Sequence, residues 1–212
     1  MNTRNANTID LSDLFGSVVG ALRDDQTYLN DLDRYGGNGN HGDNIVNNFQ
    51  LIEQMLRQSS GQDAGTQLRQ AAEALRQNGR GATANIYAEG LNEAAQQMQG
   101  QPGLRPEDIL PFLQALLGGV QRQSGAQPGE GTLLDSLVPG ILGYVQARNG
   151  GRNNSEAIMD GLGAAMRGSR RMYQEPARYG RSRRQVEQPW MDPGAASATT
   201  ILEGLFRKLA GA

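Results

Sequence analysis

Apolar residues recur at helical spacing along nearly the whole chain. Ile9, Leu11, Leu14, Phe15, Val18, Val19 and Leu22 share one face of a 3.6-residue period, and Ile45, Phe49, Ile52, Met55 and Leu56 form a second stripe. Leu68, Ala71, Ala72 and Leu75 make a third, polar and alanine-rich; Ile86, Leu91, Ala94, Ala95 and Met98 make a fourth. Pro106 suits a helix first turn ahead of a fifth run through Ile109, Leu110, Phe112, Leu113, Leu116 and Leu117. Leu133 to Val145 is apolar enough to be buried on most sides. Ile158, Leu162 and Met166 mark a seventh helix, and Ile201, Leu202, Leu205, Phe206 and Leu209 an eighth. Loops rich in glycine, asparagine and proline separate them at 35–42, 100–105, 124–131, 149–154 and 175–194. No run alternates apolar and polar residues between hairpin turns. The expected fold class is all-α: one domain over 1–212, with a core of about 11–209, built as an eight-helix antiparallel bundle or barrel.

Composition narrows the chemistry. A net charge of −2 gives no global electrostatic case for nucleic acid or an acidic membrane surface. No apolar run approaches the ~20 residues that span a bilayer, and the polar start of the chain lacks the apolar stretch of a signal peptide, so a cytoplasmic location is expected. The chain has no cysteine, which excludes disulfides, thiolate metal sites and cysteine nucleophiles. Its sole lysine is Lys208, so neither a P-loop nor a protein-kinase strand lysine is present. Its sole histidine is His41, through which any imidazole chemistry must run.

One stretch combines the features of an anion site. From Leu29 to Asn44, glycines alternate with small polar residues just before an apolar helix. Such a loop lets the backbone approach an anion, and the helix start beyond it offers unpaired N–H groups. Asp33 is able to hold a hard cation. Taken alone, the residues better describe a polar turn capped by Asp43 or Asn44, since glycine–asparagine turns are common.

The order of residues resembles the nucleotide-binding domain of dihydroxyacetone kinases. That family's signature runs Leu-Asp, three residues, Gly-Asp-Gly-Asp-His-Gly and, one residue later, Asn; here the frame reads Leu32, Asp33, then Gly37, Asn38, Gly39, Asn40, His41, Gly42 and Asn44. Gly81-Ala-Thr-Ala-Asn-Ile-Tyr87 resembles its Gly-Ser-Ser-Gly loop entering a helix, with Ala84 in place of glycine. Gly125 to Asp135 resembles Gly-Asp-Lys-Thr-Met-Leu-Asp, with Leu133 at the methionine, and Val138-Pro139 continues the match. Gly180-Arg181-Ser182 and Asp192-Pro193-Gly194-Ala195 resemble Gly-Arg-Ala-Ser and Asp-Pro-Gly-Ala. The likeness runs from about Leu11 to Leu209 and implies an eight-helix barrel with nucleotide at one end.

It also implies a site. Asp33, Asn38 and Asn40 fall where three aspartates bind two Mg2+ ions, so two carboxylates have become neutral amides and the metal site is weakened or lost. His41, Gly42, Asp43 and Asn44 would face phosphate, Thr83 and Ala84 the phosphate or sugar, and Gly125 and Leu133 the base. Arg181 would supply charge, and Asp192, Pro193 and Gly194 would close the pocket. Arg167, Arg170, Arg171, Arg178, Arg181, Arg183 and Arg184 form a basic cluster that reads either as phosphate forks or as a solvated loop. The implied function is an ADP- or ATP-binding subunit that moves phosphate to a small hydroxyketone held by a partner subunit, with a homodimer left open. The alternative is a catalytically degenerate nucleotide- or lipid-binding module of the same fold.

Overall fold

The computed structural model describes residues 8–127, 130, 132–171 and 191–210. Among them lie nine α-helices: α1 (Leu11–Asp24), α2 (Gln26–Asp33), α3 (His41–Gln58), α4 (Ala64–Asn78), α5 (Ala84–Gln97), α6 (Ile109–Ser124), α7 (Leu134–Asn149), α8 (Asn154–Arg171) and α9 (Pro193–Ala210). A 3-10 turn, Pro106–Asp108, opens α6 with proline where its missing N–H costs nothing. Eight of the helices coincide with the eight apolar stripes. The ninth, α2, has only Leu29 and Leu32 buried, too few for a periodic signal.

The long helices close into a ring. Each packs on the next in the order α1, α3, α4, α5, α6, α7, α8 and α9, and α9 returns to α1. The apolar faces point inward because burial of those stripes is the main favourable term available to such a chain. Phe15 stacks near Phe49, whose ring meets Tyr87 edge-on with centroids 5.3 Å apart. Inside the ring an apolar cavity of about 50 Å³ is lined by residues that include Phe49, Tyr87, Leu116 and Ile141.

Polar caps fix where the helices start. Asp10 accepts the Ser12 N–H at 2.8 Å ahead of α1. Asp63 accepts N–H groups from Thr66 and Gly100 ahead of α4, and the Thr66 hydroxyl and these donors hold its carboxyl down at about 2. Asn153 and Glu156 cap each other reciprocally before α8. The segment from Leu133 to Val145 is buried on most sides, as expected: Leu142, 48% exposed, is its one exposed residue, and the buried positions of α7 include Leu137, Gly140, Ile141 and Tyr144. No helix among the described residues is long and apolar enough to cross a membrane.

Candidate functional site

Segments far apart in sequence meet at the start of α3. The last residue of α2 is Asp33, and its Oδ2 accepts the Asn40 backbone N–H at 3.0 Å. That bond folds the glycine–asparagine loop back over the helix that precedes it. Gly37 lies so close to the Asp33 carboxylate that a Cβ there would clash with Oδ1. Gly42, in the first turn of α3, is pressed against the Gln26 carbonyl of α2, where any side chain would collide. Glycine at 42 therefore sets the approach of α2 to α3.

A ladder of asparagines runs down one face of α3. Asn40, Asn44 and Asn48 are spaced four apart and so stack on successive turns. Asn44 Nδ2 donates to Asn40 Oδ1 at 3.1 Å. The same Nδ2 lies 3.2 Å from where a Cβ on Gly81 would stand, which brings the 79–83 loop alongside. Asn48, only 1% exposed, grips that loop twice: its Oδ1 accepts the Arg80 N–H at 2.7 Å and its Nδ2 donates to the Arg80 carbonyl at 2.8 Å. The loop then enters α5 through Thr83 at the cap and buried Ala84, whose methyl faces Gly79.

The start of α9 completes the cluster. Ser197 Oγ lies 3.0 Å from the Gly194 carbonyl, to which it can donate. It is also 3.0 Å from His41 Nε2, in a hydrogen bond whose direction follows the imidazole tautomer. Burial holds the His41 pKa below its usual value, and Asp33 opposes that shift. Asp192 precedes Pro193, the first residue of α9, and its Oδ1 accepts the Ala195 N–H at 3.0 Å. Desolvation pushes the Asp192 carboxyl up to about 6 against the pull of the Ala195 and Gly194 N–H groups, and the charges of Asp33 and Asp135 add to the rise. Leu133, 5% exposed, sits beside Gly194, whose hypothetical Cβ would fall 3.8 Å from the Leu133 Cβ. The Tyr87 hydroxyl is buried; desolvation raises its pKa, and interaction with the nearby Ser197 hydroxyl opposes the rise.

The expected site residues thus divide. Asp33, Asn40, His41, Asn44, Thr83, Leu133, Asp192 and Gly194 lie in the segments that converge, and Pro193 joins them as the start of α9. Asp43 is exposed and turned to α2, where its Oδ1 accepts from Gln26 and Asn30 at 2.8 Å each; those bonds, Gln26 first, lower its pKa. Asn38 is exposed. Gly125 ends α6 in the left-handed conformation, with open space around it. Arg181, Arg178, Arg183 and Arg184 lie outside the described residues, as does the side chain of Arg171; Arg167 and Arg170 are exposed on α8. Asn48, Arg80 and Ser197 carry contacts that the motifs did not single out. The i, i+4, i+8 spacing of the asparagines was the one available signal for Asn48.

A family model for the DAK2 domain matches residues 36–207. The chain is 26% identical over 180 residues to the ADP-binding subunit DhaL of the PEP-dependent dihydroxyacetone kinase of Escherichia coli (strain K12), covering 84% of this chain and 86% of that one. It is 24% identical over 206 residues to the ADP-binding subunit DhaL of PEP-dependent dihydroxyacetone kinase 2 of Listeria innocua, covering 93% and 95%. The dihydroxyacetone kinase of C. freundii superposes with a TM-score of 0.71 at 20% identity in its native form, and with 0.70 at 21% in complex with AMP-PNP and Mg2+. Those superpositions cover 98% of this chain but only 36% of the longer kinase, and at such identity they establish the shared fold alone.

Proposed function

We propose, from the premise that this chain belongs to the DAK2 domain family, that it is the nucleotide-binding subunit of a dihydroxyacetone-type kinase. It binds ADP or ATP at the α3 end of the barrel and works with a partner that holds the hydroxyketone, in the cytoplasm. The observation that carries this reading is the meeting of the distant motif segments at one helix start, through Asn40 on Asp33 and His41 on Ser197.

The chain's own residues have defined tasks in this reading. The first turn of α3 and the small residues before α5 bring helix-start N–H groups toward the phosphates. Ser197 fixes the His41 ring, and the Asp192 cap fixes the start of α9. Thr83 offers a hydroxyl at the cap of α5 that makes no capping bond of its own. Leu133, packed beside Gly194 and the Asp192 cap, lies on the side assigned to the base.

The donor set does not fit a pair of magnesium ions. Magnesium is usually held by one or two carboxylates together with phosphate oxygens. Of the three motif positions only Asp33 keeps a carboxylate; its Oδ2 accepts the Asn40 N–H, and the Asn40 amide oxygen accepts from Asn44. Among the described residues no three histidine, aspartate or glutamate side chains converge as metal ligands.

The second reading, a nucleotide-binding module without transfer chemistry, is favoured by the same asparagines. Its lipid-binding form is not favoured: the cavity of about 50 Å³ is smaller than the roughly 150 Å³ apolar cavity that admits benzene. Calorimetric titration with ADP and ATP tests the shared premise; saturable binding is expected, and no binding of either would refute it. Adding a dihydroxyacetone-binding kinase subunit separates the two readings, because only a working subunit yields phosphorylated product.

A further inference from the structure

The 79–83 loop carries a cation that no motif accounts for. Arg80 is exposed, and among the described residues its guanidinium makes no hydrogen bond or ion pair. Several arginines of the ring are engaged, Arg34 with Asp31, Arg76 with Glu73 and Glu89, Arg122 with Glu93 and Arg152 with Asp160, while Arg23 on α1 and Arg167 and Arg170 on α8 share with Arg80 the lack of an ion pair among the described residues. The Arg80 backbone, by contrast, is fixed in both directions by buried Asn48. Its Cα is therefore held at the face of α3, one turn along from Asn44 and two from Asn40, while the charged head stays free. The asparagine ladder links the two loops directly: the amide that occupies Asn40 Oδ1 belongs to Asn44, which also abuts Gly81, the neighbour of Arg80.

The charges on the two sides of this ladder are complementary. The side that would hold divalent cations has asparagine at two of three carboxylate positions, and hydrogen bonds already engage Asp33 Oδ2 and Asn40 Oδ1. The other side presents an unpaired guanidinium, whose planar fork suits phosphate oxygens. We propose that Arg80 supplies the positive charge that holds the nucleotide's phosphates, so that this chain binds a nucleoside diphosphate without a divalent cation. The inference rests on the nucleotide-binding reading above and goes beyond it by naming the counter-charge and removing the metal.

The test is calorimetric titration of the full chain with ADP, in EDTA and in Mg2+, for wild type, Arg80→Gln and Arg80→Lys. Arg80 has an exposed side chain and is held through its backbone, so both variants should keep the wild-type melting temperature, which is measured alongside. The expected result is saturable binding in EDTA that Mg2+ changes by less than about two-fold. Arg80→Gln should weaken it on the order of ten-fold or more, as for loss of one charge-assisted hydrogen bond, and should flatten its dependence on salt. Arg80→Lys should retain part of the affinity. Binding that appears only with Mg2+ overturns the Arg80 assignment while leaving the nucleotide reading intact. Metal-free binding that Arg80→Gln leaves unchanged also overturns it. No ADP binding in any condition overturns both.

Discussion

The loops that lead into α3 and α5 are built from similar residues, glycine with small polar side chains, yet they treat charge in opposite ways. Residues 34–40 are closed on themselves: the Asp33 carboxylate holds the Asn40 N–H, and Asn40 is in turn bonded by Asn44. Residues 79–83 are held only through their backbone, by Asn48, and leave Arg80 free. A ligand that uses those groups of the first loop must compete with the protein hydrogen bonds they already make. A loop held by its backbone keeps its side chains for a ligand. In the proposed function, the positive charge that faces phosphate comes from Arg80 on the second loop and not from a metal held by the first.

The comparison can be broken at four points. Asn48→Ala removes the clamp on the second loop and strands the Arg80 N–H and carbonyl, so urea unfolding should show a loss of roughly 2–4 kcal/mol. Asp192→Asn should act through pH. The folded carboxyl titrates near 6 against an ordinary 3.8, so its contribution to stability is full below about pH 4 and is lost as pH rises through 6. Asparagine keeps the cap and cannot ionise. The variant should therefore exceed wild type by up to about 3 kcal/mol at pH 7–8, with the difference vanishing near pH 4; a difference that does not vary with pH would contradict the assignment. Asn44→Ala, which unties the first loop, should cost about 0.5–1.5 kcal/mol and release the Asn40 amide. Arg80→Gln should be the mildest for stability, within about 0.5 kcal/mol of wild type, although it has the largest effect on ADP.

The barrel was legible in the sequence because burial follows helical period. Phe15, Phe49, Leu91, Phe112 and Phe206 all fall on predicted stripes and all lie in the core. The helix α2 was not legible, because Leu29 and Leu32 are its only buried residues and its place depends on Gly42 against Gln26, a contact between elements. The site was legible as a set of motifs. The partners that hold it were not: Ser197 is an ordinary residue of an apolar helix until the fold sets it against His41, and Arg80 is an ordinary loop cation until Asn48 anchors it. That Leu142 would be the exposed residue of its segment was not legible either, since a strongly apolar helix gives no sign of which face meets water.

The most direct test restores the missing charge. Asn38→Asp with Asn40→Asp returns two carboxylates to the first loop, and ADP binding is then measured by equilibrium dialysis with and without Mg2+. The account predicts that the double variant gains at least about ten-fold in ADP affinity from Mg2+, as a recovered carboxylate site should, while wild type is nearly indifferent to the ion. A wild-type protein that gains as much from Mg2+ as the double variant would contradict it.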